Sequence, residues 1–259
     1  MFAERPLSPA LSRVREEHAP GTLVVDCESD FETLPPEALD DLAVITEEIT
    51  PVSHSDEWVP EDAPAIPRRY VGSDLVVVTP GAGSVAWTTQ TVPPICFVKA
   101  RVEGVPEAFV DFLIAESLVE IGFDFPEQFI GFFGEEYPRL ALATGLGPNA
   151  TYQIATALFA GWRGLFTREV FAEWENEEPA LYEAWVDAGE RLEGRVGELP
   201  SLVARNELDF AEATELACSA IKHDLDLPAP FGALDTEAYR EHGPAFALRW
   251  AEKTFDALE

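Results

Sequence analysis

Four carboxylates alternate from the end of a short apolar run: Asp26 is the penultimate residue of Thr22–Cys27, and Glu28, Asp30 and Glu32 come just past it. In extended backbone every second side chain points the same way. The spacing can therefore converge oxygen ligands on a hard cation such as Mg²⁺ or Ca²⁺. Asp26, Glu28 and Asp30 are the candidate metal ligands on this reading. The competing reading is that an acid-rich chain places acids in every loop, and no EF-hand or other fixed metal loop is matched. Glu116 and Glu120 stand one helical turn apart, on a stripe that also carries Phe109, Phe112 and Leu113. An ionised carboxylate on an apolar face needs a partner or shifts its pKa upward. That makes the two glutamates candidates for general acid or base work; the alternative is structural pairing with an arginine such as Arg163. His54, in His54-Ser55-Asp56-Glu57-Trp58, puts an imidazole among acids in a Pro-rich connection. Loops carry function more often than regular elements do, so His54 is a third catalytic candidate, against the reading of an ordinary surface histidine.

Other chemistries find no pattern. None of the four histidines sits in H-E-x-x-H or another zinc spacing, and the Glu-x-x-His pairs of di-iron bundles are absent. His223 and His242 each fall near an expected helix C-terminus, where the helix dipole favours a cation. There is no G-x-S-x-G elbow. The turn Pro80-Gly81-Ala82-Gly83-Ser84 lacks the G-K-[ST] ending of a phosphate loop and leads into a strand, which makes it a hairpin loop. Cys27, Cys96 and Cys218 are odd in number, far apart and without C-x-x-C, the pattern of reduced, buried thiols. No cofactor is predicted.

The elements that must position these residues change texture near residue 104. Before it, Ser8–His18 starts as a helix with Ser8 as N-cap and Pro9 in the first turn. Thr22–Cys27 suits a buried strand, and Pro36–Ile49 carries a helical stripe of Leu39, Leu42, Ala43, Thr46 and Ile49. Residues 50–70 read as an irregular connection. Strands are expected over Asp74–Thr79, Ser84–Thr91 and Ile95–Val102, as an antiparallel meander. After residue 104 helix follows helix: Pro106–Gly122, Pro126–Ala143, Asn149–Phe166, then about 178–197, 209–223 and 244–258. The expected fold is α+β and mostly helical, a small antiparallel sheet packed on a C-terminal helical bundle. One domain is expected over 1–259, with a mixed part at 1–104 and a helical part at 105–259.

Composition bounds the setting. Of 259 residues 48 are Asp or Glu and 17 are Lys or Arg, a formal net charge of -31, and only Lys99, Lys222 and Lys253 are lysines. Such a chain repels itself at ordinary ionic strength. At molar salt the screening length is about 3 Å and the penalty largely disappears. Disorder is the competing account of such acidity, but 47% hydrophobic residues with 17 Phe and 6 Trp can build a core. A salt-loving organism with a salty cytoplasm is the expected milieu. Clustered Lys and Arg are missing, which argues against nucleic acid and an anionic membrane as partners. The most apolar window, Phe109–Phe133, is broken by five acids and cannot span a bilayer. With no charged-then-apolar leader at the N-terminus, the expected location is cytoplasmic.

The stretches DFETLPPEA (30–38), DEWVPEDAP (56–64), RRYVGSD (68–74), SVAWT (84–88), FVKARVEGVPEAFVDFLIAE (97–116), GFFGE (131–135), ELACSAIKH (215–223) and YREHGPAFALRWAEKTF (239–255) span nearly the whole chain. With them the sequence resembles an uncharacterised, domain-of-unknown-function family of haloarchaeal proteins of about this length. The resemblance implies a haloarchaeal origin and carries over no catalytic residue.

Three functions stay open. The first is a non-enzymatic cytosolic protein that self-associates or binds a protein partner through aromatic-rich helices, with Phe129, Phe132 and Phe133 as the interaction residues. Together with Ile130 and Gly131 between them, these residues cannot all be buried on one stripe of a helix, so the helix is either enclosed or meets a partner. The second is a metal-dependent or acid–base enzyme using the clustered carboxylates. The third is a small-ligand sensor with an aromatic pocket lined by residues such as Trp87 and Trp162.

Overall fold

The computed structural model of the chain describes residues 2–78 and 83–258. Strand β1 (Phe2–Glu4) precedes helix α1 (Pro9–His18). The Ser8 hydroxyl accepts from the Leu11 amide at 3.3 Å and Pro9 fills the first turn, the start its sequence dictates. β2 (Leu23–Cys27), α2 (Ala38–Ile45) and β3 (Glu48–Ile49) follow. The helix expected over Pro36–Ile49 is shorter because Thr46 turns extended and frees Glu48–Ile49 to pair as a strand. Residues 50–70 hold a 3-10 turn at Asp56–Trp58 and the short helix α3 (Ala65–Arg69). β4 (Val85–Thr88), β5 (Thr91–Val92) and β6 (Ile95–Val98) occupy the core of the next two expected strands. The expected strand Asp74–Thr79 reduces, in its described part, to an isolated antiparallel bridge between Thr33 and Val78. Thr79 and Pro80-Gly81-Ala82 of the glycine-rich turn lie outside the described residues.

Helices α4 (Glu107–Gly122), α5 (Phe129–Phe133), α6 (Glu136–Thr144), α7 (Pro148–Glu177), α8 (Pro179–Ala204), α9 (Phe210–Ile221) and α10 (Glu237–Leu258) follow. The fold is α+β and mostly helical. The helix expected over Pro126–Ala143 is in fact two, α5 and α6, broken at Gly134 with φ 52° and ψ −130°, backbone that a Cβ disfavours. α7 runs past Phe166 because no proline intervenes before Pro179. α9 starts in a capping box: Asp209 Oδ1 accepts from the Glu212 amide at 2.8 Å, and Glu212 Oε2 accepts from the Asp209 amide at 2.9 Å.

The chain divides into two units, each drawn from separate segments. The first comprises Met1–Ser53, Gly72–Glu127 and Trp174–Ala184. Its sheet has the order β1-β2-β6-β4. β2 and β6 run parallel, with Leu23 opposite Ile95 and Val25 opposite Phe97, while β1 and β4 flank them antiparallel. The sheet is therefore mixed, where the sequence suggested an antiparallel meander. The reason lies in β6: all four of its residues are buried, as suits a central strand covered on both faces. Val25, Ala86, Ile95 and Phe97 pack toward α2 with Leu34, Ala38 and Leu42. α4 packs on α1 and on β4 and β6. The buried Glu178 is clamped by Arg13, whose Nη2 donates to Oε2 at 2.7 Å while Nε donates to Oε1.

The second unit comprises His54–Val71, Gln128–Glu173 and Trp185–Glu259. α6 packs on α10. α7 meets α9 closely at Gly161, where an added Cβ would lie 3.0 Å from Ile221 Cδ1 and 3.1 Å from Cys218. The buried Tyr239 hydroxyl donates to the Leu158 carbonyl at 2.7 Å, tying α10 to α7. α10 contains one non-helical residue, Gly243 with φ 43° and ψ −117°, so the helix expected over 244–258 is its re-aimed second half.

Candidate functional site

The re-aimed half of α10 builds one wall of an apolar groove of about 710 Å³ in the second unit. Phe246, Trp250, Thr254 and Ala257 of α10 face it, with Arg249, Lys253 and Leu258 beside them. The end of α8 supplies Pro200, Val203 and Ala204, the first residue of α9 is Phe210, and the segment Ala229–Ala233 adds Pro230 and Phe231. Aromatic contacts set the shape: Phe210 stacks on Phe231 with centroids 5.4 Å apart and meets Phe255 edge-on at 5.1 Å. The Trp250 indole N–H donates to the Pro230 carbonyl at 3.0 Å, which pins the 229–231 segment to the helix and satisfies the ring's one donor. Phe210 remains partly exposed and Ala204, Ala229, Ala233 and Ala257 are exposed, so the wall is open to an incoming molecule. The lining contains no carboxylate, imidazole or thiol. What this arrangement can do is hold apolar surface away from water.

Two polar features stand out in the first unit. Lys99 follows β6 and is fully buried, and its Nζ has no hydrogen-bond partner among the described residues. The ammonium lies 4.7 Å from the Phe31 ring centroid. Burial, helped by the charge of Arg101, pulls its pKa down to about 8. The second feature is Glu127, which accepts from Thr88 Oγ1 at 2.8 Å, the Thr89 amide at 3.1 Å and Gln90 Nε2 at 2.8 Å. Burial outweighs these three donors and pushes the carboxyl up to about 7. Glu127 thereby pins the turn between β4 and β5.

The residues singled out by sequence are placed apart. Asp26 pairs with Arg5 Nη1 at 2.7 Å, Asp30 is bridged by Arg101 Nε at 2.7 Å, and Glu28 is exposed. The Arg101 fork holds Asp30 below the usual carboxylate range. β2 ends at Cys27, so the period-two alternation stops before it can gather the four acids. Among the described residues no group of three or more His, Cys, Asp or Glu is placed to hold a metal ion. Glu120 is buried and accepts from Trp87 Nε1 at 2.8 Å, while Glu116, one turn earlier, is half-buried. Arg163 stands 4.6 Å over the Phe159 ring in the second unit. His54 belongs to the second unit, where its Nε2 lies 3.0 Å from Gln128 Oε1 and its ring 5.9 Å from Trp58. Burial lowers its pKa, the Gln128 bond opposing.

Phe129, Phe132 and Phe133 are all buried. Phe129 packs on Tyr137 at 5.0 Å and Tyr152 at 5.5 Å, and Phe132 on Trp162 at 4.8 Å. They form core and present no face for a partner, because the break at Gly134 lets α5 be enclosed on several sides. Trp87 and Trp162, expected to line a pocket, are also committed: Trp162 Nε1 donates to the Arg240 carbonyl at 3.1 Å. Neither lines the groove.

The sequence profile of a Family of unknown function (DUF7089) matches residues 1–258. The chain belongs to that family. The DUF7089 match takes in both units, so the groove and Lys99 both lie inside it. No curated protein and no solved structure gives a match. Among the described residues of this DUF7089 protein, no helix is long and apolar enough to cross a membrane.

Proposed function

We propose that this DUF7089 protein is a non-enzymatic binding protein that takes a small apolar molecule into the groove of its second unit, in a salt-rich cytoplasm. The observation that carries the reading is the apolar groove of about 710 Å³, with half-buried Phe210 and exposed Ala204, Ala229, Ala233 and Ala257 at its opening over the buried rings of Phe231 and Trp250. That volume falls within the range of about 300–1,000 Å³ typical of small-molecule sites, and carbon-rich lining with few polar groups is their usual chemistry. The salt setting rests on composition, 48 acids against 17 bases with three lysines. Enzymatic use of the carboxylates has weaker support, since Asp26, Asp30 and Glu120 are each engaged by a structural partner. Binding of a protein through Phe129, Phe132 and Phe133 has lost its surface to burial.

The neutral dye Nile red tests the reading in molar KCl. Wild-type protein is expected to give saturable, blue-shifted emission at one site per chain. Ala204→Trp fills the groove from an exposed position. It is expected to weaken the dye at least tenfold, about 1.4 kcal/mol, with an unchanged thermal melt. Dye binding that never saturates, or that ignores Ala204→Trp, defeats the reading.

A further inference from the structure

We infer that the molecule taken up by the groove is an amphiphile with an anionic head, such as an alkyl carboxylate, its chain on the aromatic wall and its head between Arg249 and Lys253. This rests on the binding reading above. Arg249 and Lys253 are exposed, one helical turn apart on α10, and both line the groove. In a chain of net charge -31 acids outnumber bases 48 to 17. Several arginines of the same unit pair with acids: Arg168 with Asp235 at 2.6 Å, Arg205 with Glu207 at 2.6 Å, and Arg191 with Asp187. Arg249 and Lys253 make no ion pair among the described residues. Glu252 and Asp256 share their helix but do not line the groove.

The geometry gives these two side chains a specific place. The Arg249 guanidinium sits 5.9 Å from the Phe246 centroid, within reach of the attraction between a cation and a ring face. Long basic side chains lay their apolar stems along a wall and keep the charge at its wet edge. The groove lining thus carries two cations and no carboxylate, on a chain whose net charge is -31. A neutral ligand leaves both cations to water, whereas an anionic head gains charge-assisted hydrogen bonds from both. A cationic amphiphile of the same length meets repulsion at the mouth.

Displacement of Nile red by decanoate, 1-decanol and decyltrimethylammonium separates these cases on the full chain. In the wild type decanoate is expected to bind about tenfold tighter than decanol, and decyltrimethylammonium weaker than either. Arg249→Gln/Lys253→Gln is expected to bring the ratio of decanoate to decanol affinity from about ten to about one, whatever it does to the dye; both positions are exposed, and an unchanged melt verifies the fold. Lys253→Glu alone is expected to reverse the preference. The preference is also expected to shrink as KCl is raised. Decanol binding as well as decanoate to the wild type, or a decanoate preference that survives the double substitution, overturns the inference and leaves the groove reading standing. Failure of the dye and all three amphiphiles to bind overturns both.

Discussion

Lys99→Met is expected to stabilise the protein at pH 7 by about 2–3 kcal/mol, as urea unfolding in constant KCl would read it. The figure follows from the ammonium's surroundings. Its pKa falls from 10.5 to about 8, and that interval corresponds to about 3 kcal/mol against the charged form. The Phe31 ring offsets only part of the desolvation. Methionine keeps the length and adaptability of the side chain without the charge, and replacing buried charge with well-packed apolar groups commonly stabilises. The pH dependence has a definite sign. The folded-state pKa lies below the unfolded one, so the penalty is complete below pH 8. Between about 8 and 10.5 the unfolded chain binds more protons, and wild-type stability rises with pH. Lys99→Met lacks that rise. A methionine variant less stable than wild type at pH 7 shows instead that the ammonium has a favourable partner.

Lys99 also shows how far the sequence could be read. As one of three lysines in an arginine-rich chain it is conspicuous, and it ends the apolar run Ile95–Val98. Nothing local says that Phe31, many residues upstream, roofs it. Local chemistry was legible: Ser8-Pro9 starts α1, and the stripe of α4 buries Phe112 and Glu120. Pairing over distance was not. β2 and β6 look like any two apolar runs, and only their parallel register makes the sheet mixed. The Phe129–Phe133 segment read as one helix with Glu136–Ala143 because the positive φ of Gly134 has no signature beyond the glycine itself. The groove was invisible for the same reason. Its walls come from residues 200–204, 210, 229–233 and 246–258, and Trp250 reads locally as one more core residue of an amphipathic helix.

Gly243→Ala is the second substitution with a large expected effect. At φ 43° and ψ −117° an alanine is strained, and its Cβ would stand 3.1 Å from the Phe132 ring. Backbone strain of this kind costs about 1–3 kcal/mol per residue, and the ring contact adds overpacking. We expect a loss of about 3 kcal/mol, read from thermal or urea unfolding. Where the variant still folds, straightening at residue 243 moves Arg249, Trp250 and Lys253 away from Phe231, so Nile red binding falls as well. An alanine variant of wild-type stability and dye affinity shows that the break is not what sets the wall of the groove.

The claim that joins these parts is that the second unit holds its ligand between the end of α8, the start of α9, residues 229–233 and the second half of α10. Methyl NMR of the full chain titrated with decanoate in KCl tests it directly. The account predicts saturable shifts for the methyl groups of Val203, Ala204, Ala229, Ala233, Ala257 and Leu258, with Val25 and Leu42 of the first unit unmoved. Shifts confined to first-unit methyls, or none that saturate at the six groove positions, contradict it.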